Sequence, residues 1–580
     1  MTITKLLVAN RGEIALRVMR TAKEMGIATV AVYSDPDRDA LHVRYADEAY
    51  ALGGSSPSQS YLNAEKILDV AKRAGADAVH PGYGFFAENA NFARSVIAAG
   101  LVWVGPHPDA IDAMGDKLRA RAAMVKAGVP VVPGKLEPIK DLEDAKRAAK
   151  EFGLPLALKA AAGGGGKGLR VARTLDEIES ALTVAKREAE AYFKDSTIYA
   201  ERYLDNPKHV ELQVLADKHG NVVHVGERDC SLQRRHQKVW EETPARVSEK
   251  VRHGLRQAGL RAAEAIGYDS AGTIECLVAG DEFFFLEMNT RIQVEHTVSE
   301  MISGLDLVRE QIRVAAGEQL GYKQDAIELR GHSIEVRVNA EDPANNFAPA
   351  PGTITRYREP GGPGIRVDSA AFGGMTITPD YDSLIAKLVV WAPTRETARA
   401  RLRRALDEFI VEGVATTIPL LRALVDEPSV RDATYGTATL EPFAASLNID
   451  TPAAAPSAEI ESTEDAVVRV EVNGKLFRVR MLDRPQATSA AATRRRPPKL
   501  ESRSGKAASS ENAVVAPMHG VVVEVKVKPG DEVESGALVA VIEAMKMMNE
   551  IRSPRAGTVA DVKVSSGQTV ETGAILVTFN

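Results

Sequence analysis

LPLALKAAAGGGGKGLRVAR, residues 154–173, decides how the chain is read. Leu154 to Ala160 is apolar enough for a buried strand, Gly163 to Gly168 is a glycine-rich loop, and Leu169 to Arg173 returns as a strand. Gly163, Gly165 and Gly168 satisfy a GxGxxG pattern, but a strand follows where a dinucleotide fold needs a helix. A P-loop is excluded too, since no Ser or Thr follows a Gly-Lys pair. What remains is a hairpin loop whose backbone N–H groups, at Gly164, Gly165 and Gly166, can close over phosphate oxygens with no Cβ in the way. Lys159 in the incoming strand, and Lys117 in Met114-Gly115-Asp116-Lys117, are candidate phosphate ligands.

Downstream, short strands with polar insertions (HVELQVL, TIECLV, EFFFLEMN, HSIEVRVN) predict a mainly antiparallel sheet with flanking helices over about 196–345. The densest polar stretch is Glu287-Met288-Asn289-Thr290-Arg291-Ile292-Gln293-Val294-Glu295-His296. Polar groups at 287, 289, 291, 293 and 295 have period two, so a strand would show them all on one face. A straight strand would spread the outer pair by about 26 Å. If all five serve one site the chain must curl after Asn289, so Thr290 onward should be a loop. Glu287 and Asn289, with Glu275 from the Thr273-Ile274-Glu275 strand, offer the hard oxygen ligands that Mg²⁺ takes when it bridges nucleotide phosphates.

Upstream, Lys5 to Ala9 (strand), Ile14 to Met25 (helix) and Ala28 to Tyr33 (strand) form a βαβ unit and imply a parallel sheet. The alternation continues to about residue 115. At the other end, residues 451–466 and 484–512 are rich in Ala, Pro and Ser; the second stretch has too few large apolar side chains to offset ordering entropy and reads as a flexible tether. Between them VRVEVNGKLFRVRM is a hairpin with Asn473-Gly474 at its turn.

The last 65 or so residues repeat themselves. Pro517, Gly520, Val525, Val527, Gly530, Val533 and Gly536 recur, always 37 positions later, as Pro554, Gly557, Val562, Val564, Gly567, Val570 and Gly573. Two copies of one β-motif should pack as a two-fold-related sandwich, with Glu543-Ala544-Met545-Lys546-Met547-Met548 at the tip of a hairpin midway between them. One lysine presented by such a domain on a long tether suits a carrier arm.

The 580 residues are too many for one core. With 44% hydrophobic and 26% charged residues and a formal charge of −6, neither nucleic acid nor an anionic membrane is expected as main partner. Cys230 and Cys276 are too few for a disulfide framework or a cysteine-held metal. MTITKLLVANRGE lacks the features of a signal peptide and no apolar run approaches about 20 residues, so a cytoplasmic location is expected.

Ala544-Met545-Lys546-Met547, with Ala516-Pro517-Met518, resembles the biotinyl-carrier domains of biotin-dependent carboxylases. The resemblance implies biotin joined to Lys546 by a separate biotin protein ligase; lipoyl domains share the fold but usually lack the flanking methionines. The glycine loop and two lysines resemble the ATP-grasp fold, which implies that Glu201 and Leu204 line an adenine pocket and that His209, Gln233 and His236 contact ribose or phosphate. Asn10-Arg11-Gly12-Glu13, His80-Pro81-Gly82-Tyr83-Gly84-Phe85, residues 228–238 (RDCSLQRRHQK) and 287–296 all look like biotin carboxylase, in the family's order, over about 3–445. Phe86 for Leu and Lys167 for Arg are peripheral departures.

What this implies is a multidomain α/β and α+β chain: an ATP-grasp biotin carboxylase fold, a flexible linker and an all-β carrier domain of biotinyl/lipoyl type. The expected limits are 1–115, 116–334 with a lid over about 130–205, 335–447, a linker 448–512 with a hairpin over about 466–482, and 513–580. ATP, Mg²⁺ (or Mn²⁺), bicarbonate and biotin are the implied ligands. By position in the family, Glu295 would deprotonate bicarbonate held by Arg291, Gln293 and the Val294 backbone; Lys117, Lys159 and Lys238 would stabilise charge on the transferred phosphoryl group; Arg337 would stabilise the biotin enolate. No carboxyltransferase segment follows, so the chain resembles the short α subunit of an acyl-CoA carboxylase, working with a separate carboxyltransferase β subunit in a hetero-oligomer and meeting acyl-CoA only through it. Another ATP-grasp ligase would not need the repeat domain, and a non-catalytic carrier or scaffold would not need Lys117, Lys159, Glu275, Glu287, Arg291 and Glu295 together.

Overall fold

The computed structural model describes residues 2–135, 137–161, 168–235, 237–447, 467–472, 475–480, 513–517, 520–544, 547–570 and 573–579. Two compact units divide the chain, residues 1–450 and 451–580.

In the first unit, Lys5–Val8 (β1), Ala28–Tyr33 (β2), Glu48–Ala51 (β3), Ala78–His80 (β4) and Val102–Trp103 (β5) make a parallel sheet ordered β3-β2-β1-β4-β5. The helix Gly12–Glu24 links β1 to β2, burying Ile14, Val18 and Met19. Two sequence motifs meet at the carboxyl ends of β1 and β4, where Asn10 Nδ2 donates to the carbonyls of Pro81 (2.7 Å) and Tyr83 (2.8 Å).

Leu156–Ala160 (β6), Leu169–Ala172 (β7) and Ile198–Arg202 (β8) form a small antiparallel sheet, β7-β6-β8, packed against helices Leu142–Phe152 and Glu177–Phe193. This is the predicted strand–loop–strand unit; the glycine loop, residues 162–167, lies outside the described residues.

Lys208–Ala216 (β9), Val222–Arg234 (β10), Gln237–Thr243 (β11), Ala271–Ala279 (β12), Glu282–Asn289 (β13) and His332–Asn339 (β14) join Leu384–Ala392 and Ile365–Ser369 in one eight-stranded antiparallel sheet. Its order is β13-β12-β9-β10-β11-β14, then Leu384–Ala392, then Ile365–Ser369. The sheet runs straight through the limit read at 334/335, because β14 pairs with β11 on one side and Leu384–Ala392 on the other. One face is apolar: Val210, Leu212 and Val214 pack on Leu255, Ala258 and Ala262 of helix Glu249–Ala265, and Ile334, Val336 and Val338 share a core with Ala398 and Leu402. The opposite face carries charges, and helix His296–Ser303 lies across it.

The second unit holds a hairpin, Val467–Val472 paired with Lys475–Arg480; the turn Asn473-Gly474 and the tether, 484–512, lie outside the described residues. Beyond it are two four-stranded sheets. The first is ordered Ala513–Val515, Ile575–Phe579, Gly557–Val562, Glu532–Val533; the second Met547–Arg552, Leu538–Ala544, Gly520–Val525, Thr569–Val570. Exchanging the repeats turns one order into the other, which is the pseudo-two-fold predicted from the repeated glycines and valines. Gly530 and Gly567 adopt φ of +93° and +86°, a left-handed turn conformation that explains why glycine recurs there. Val522, Val539, Ile542, Val559 and Leu576 fill the core between the sheets. Leu538–Ala544 and Met547–Arg552 pair up to Ala544 opposite Met547; Met545 and Lys546 between them lie outside the described residues. Among the described residues no helix is long and apolar enough to cross a membrane.

Candidate active site

The charged face begins at β12 and β13. Leu286 is an extra residue in β13, because Glu287 faces Glu275 while Phe285 faces Cys276. This bulge turns the Glu287 carboxylate onto the face of Glu275. The carboxyl of Glu287 is pushed upward, by burial in the cleft and by the Glu275 charge opposite, with Lys117 Nζ 3.7 Å away pulling it down. Two like charges so placed fit a divalent cation between them. The strand stops at Asn289 and residues 290–295 run as loop and turn into helix His296–Ser303, so the chain curls where the five-residue spacing demanded.

That curl carries Glu295 back over the middle of the sheet. Lys238 Nζ lies 2.6 Å from Glu295 Oε1, 2.6 Å from Glu211 Oε2 and 3.1 Å from Glu275 Oε1. Burial lowers the lysine, but the three carboxylates drive it well above its ordinary value. Burial likewise pushes Glu295 up, and Lys238, Arg337 and Arg228 win, holding its carboxyl well below the usual range. Arg228, fully buried, spends its guanidinium on Glu211 (2.6 Å), Gln213 (2.6 Å), Ser299 (3.0 Å), Thr273 (3.1 Å) and Gln293 (2.8 Å). Removing one partner of such a buried pair leaves an uncompensated charge. Arg228→Met is expected to destabilise the first unit by about 3–5 kcal/mol, read as a lowered denaturation midpoint; an unchanged midpoint contradicts it.

Arg337 closes the cluster from β14, donating through Nη2 to Glu295 Oε2 (2.9 Å) and through Nε to Glu241 Oε1 (2.7 Å). Thus the structure brings Lys238, Glu295 and Arg337 into direct contact. Gln293 Nε2 donates to Glu275 Oε1 (2.7 Å), and the Val294 carbonyl accepts from the buried Lys387 (3.1 Å). Arg291 is hydrogen-bonded elsewhere, with Nε donating to Glu88 Oε2 (2.9 Å) and Nη2 to Asn289 Oδ1 (2.9 Å), while the Glu295 charge adds to holding its guanidinium protonated. Asn289 Nδ2 donates to Glu275 Oε1 (2.8 Å), so this expected metal ligand here bridges Glu275 to Arg291.

At the nucleotide end, Lys159 and Arg121 both pair with Glu201 (Arg121 Nη1 at 2.9 Å), so the carboxylate expected beside adenine anchors two cations. Leu204 packs with Val132 and Phe284 in a small apolar cluster suited to a base. His209 Nε2 lies 3.1 Å from Glu275 Oε2, and Gln233 Nε2 contacts His209 Nδ1 at 3.4 Å. Gly164, Gly165, Gly166, His236 and Lys546 lie outside the described residues. Gly134 bridges to Glu201, and a Cβ there would meet Ala200 O and Glu201 Cα at 2.6 Å. Gly134→Ala must therefore shift β8 and Glu201, and is expected to weaken ATP binding about tenfold in a titration. Wild-type affinity would contradict this.

Glu88, Glu211, Arg228, Glu241 and Lys387 escaped the sequence reading. A signal existed for some: His209, Glu211 and Gln213 alternate in HVELQVL, as Glu335, Arg337 and Asn339 do in EVRVN. Glu241 gave none, since a bulge puts it on one face with Lys238 (Leu232 faces Trp240, but Gln233 faces Lys238).

Comparison with known proteins now adds to this geometry. Four family models match: "Biotin carboxylase, N-terminal domain" over 2–111, "Carbamoyl-phosphate synthase L chain, ATP binding domain" over 116–323, "Biotin carboxylase C-terminal domain" over 335–442 and "Biotin-requiring enzyme" over 512–579. The biotin-dependent acyl-coenzyme A carboxylase alpha3 subunit of Mycobacterium leprae is 47% identical over 570 residues, covering 95% of this chain and 94% of the relative. Biotin carboxylase 1 of Bacillus subtilis is 50% identical, covering 76% of this chain and 99% of its own. A solved structure of the Hydrogenobacter thermophilus 2-oxoglutarate carboxylase biotin carboxylase domain, in complex with MgADP, ADP and bicarbonate, has a TM-score of 0.73 at 52% identity, covering 76% of this chain and 98% of that one. The chain belongs to the biotin-dependent carboxylases, as the α-subunit type that joins a biotin carboxylase to a biotin carrier domain. Its class is a ligase.

Proposed function

We propose that this chain uses ATP and Mg²⁺ to activate bicarbonate, loads the carboxyl group onto biotin carried on its own Lys546, and supplies it to a separate carboxyltransferase β subunit acting on an acyl-CoA such as acetyl- or propionyl-CoA. The observation that carries this is Glu295 held between Lys238 (2.6 Å) and Arg337 (2.9 Å), beside the facing pair Glu275 and Glu287. Glu275, Glu287 and Asn289 would hold the metal; Lys117, Lys159 and the loop at Gly164–Gly166 would hold the nucleotide phosphates, with Glu201, Leu204, His209, Gln233 and His236 around the nucleoside. Arg291, Gln293 and the Val294 backbone would seat bicarbonate, and Glu295 would take its proton. Biotin supplies a nucleophilic ureido nitrogen when bound, and a separate biotin protein ligase would attach it. The chain would work in the cytoplasm as part of a hetero-oligomer.

The test is incubation of the biotinylated chain with ATP, Mg²⁺ and labelled bicarbonate. Label should accumulate on the protein, and added acyl-CoA should stay uncarboxylated until the β subunit is supplied. Carboxylated acyl-CoA formed by this chain alone would refute the division of labour.

A further inference from the structure

Glu241 is fully buried on β11 and belongs to neither the nucleotide nor the bicarbonate set. It lies directly across from Glu335 on β14, also fully buried, and diagonal to Arg337. Glu241 Oε1 receives both Nε (2.7 Å) and Nη2 (2.6 Å) of Arg337, and the same Nη2 reaches Glu295 Oε2. We propose that Glu241 is a positioning residue for Arg337, fixing the guanidinium so that it meets Glu295 on one side and faces the reacting biotin on the other. The inference rests on the proposed function and on the part the resemblance gives Arg337, stabilising the biotin enolate.

Three features support it. The bulge at Val239 has the effect of placing Glu241 and Lys238 around one carboxylate, Glu295. Glu241 Oε2 and Glu335 Oε1 have no hydrogen-bond partner, so the Arg337 guanidinium is what Glu241 chiefly serves. Glu335 in turn accepts from Thr297 Oγ1; burial pushes both carboxyls up, Glu335 well above the usual range and Glu241 to about 7, with Arg337 drawing Glu241 down, so it is the two contacts to Glu241 Oε1 that tie Arg337 to Glu241. Facing this pair are Glu295, Lys238 and Thr297, with Lys387 on the strand beyond.

The experiment compares full-length Glu241→Gln, Glu241→Asp and Arg337→Lys with the parent chain. Three quantities are read: ATP affinity of the unbiotinylated chain, carboxyl groups placed on biotin per ATP cleaved, and the position of Arg337 in a crystal structure. Glu241→Gln should keep ATP affinity within about twofold, lower the coupling ratio about ten- to a hundredfold as Arg337→Lys does, and show Arg337 displaced from Glu295. Glu241→Asp, which restores the charge, should recover part of the coupling. An undisturbed Arg337–Glu295 contact, or ATP affinity falling in step with coupling, would overturn the proposal. If Arg337→Lys itself leaves coupling intact, the role given to Arg337 fails, whereas the crystal structure still decides whether Glu241 holds it.

Discussion

Glu295→Gln is expected to cut bicarbonate-dependent ATP cleavage by roughly 10²–10⁴-fold, the range for loss of a general base, while ATP binding stays within about twofold of the parent. The amide keeps the shape and one acceptor oxygen, but it cannot take a proton. Lys238 and Arg337 hold the carboxyl well below its ordinary range, so it is charged but weakly basic. Bicarbonate bound beside Glu295 would compete for those same two cations. Each contact it draws away raises the basicity of Glu295 as the proton must move. Lys238 can turn toward substrate without leaving a carboxylate bare, because Glu211 keeps Arg228, Glu275 keeps His209 and Glu295 keeps Arg337. Turnover at the parent rate would refute the assignment.

Lys546→Arg should have the second large effect: complete loss of label from bicarbonate on the protein, with the first unit's ATP affinity unchanged. Arginine keeps the charge but offers no primary amine for an amide bond. The sandwich core is built from Val522, Val539, Ile542, Val559 and Leu576, in strands whose residue ranges leave out position 546. Loss of label should therefore come without a change in the domain's thermal midpoint. Retained label on the variant would place the carrier function elsewhere.

Much of the fold was legible because its signals are periodic. The 37-residue spacing of glycines and valines predicted two interchangeable sheets, and the strand orders interchange under it. The period-two run from Glu287 to Glu295 predicted a curl after Asn289 on distance alone, and β13 ends there. What stayed hidden depends on which strands become neighbours. Glu241 meets Arg337 only because β11 pairs with β14, and Arg291 meets Glu88 across 203 positions of sequence. Bulges at Leu286 and Val239 invert the side-chain alternation that a sequence reader counts on. The eight-stranded sheet itself is assembled from segments on both sides of 334/335, since β14 joins β11 to Leu384–Ala392.

Mass spectrometry of the intact chain, purified from cells with an active biotin ligase and then digested, tests the central claim most directly. One biotinyl group per chain, on the peptide containing Lys546, is the predicted result. An unmodified Lys546, or a group attached to another lysine, would contradict it.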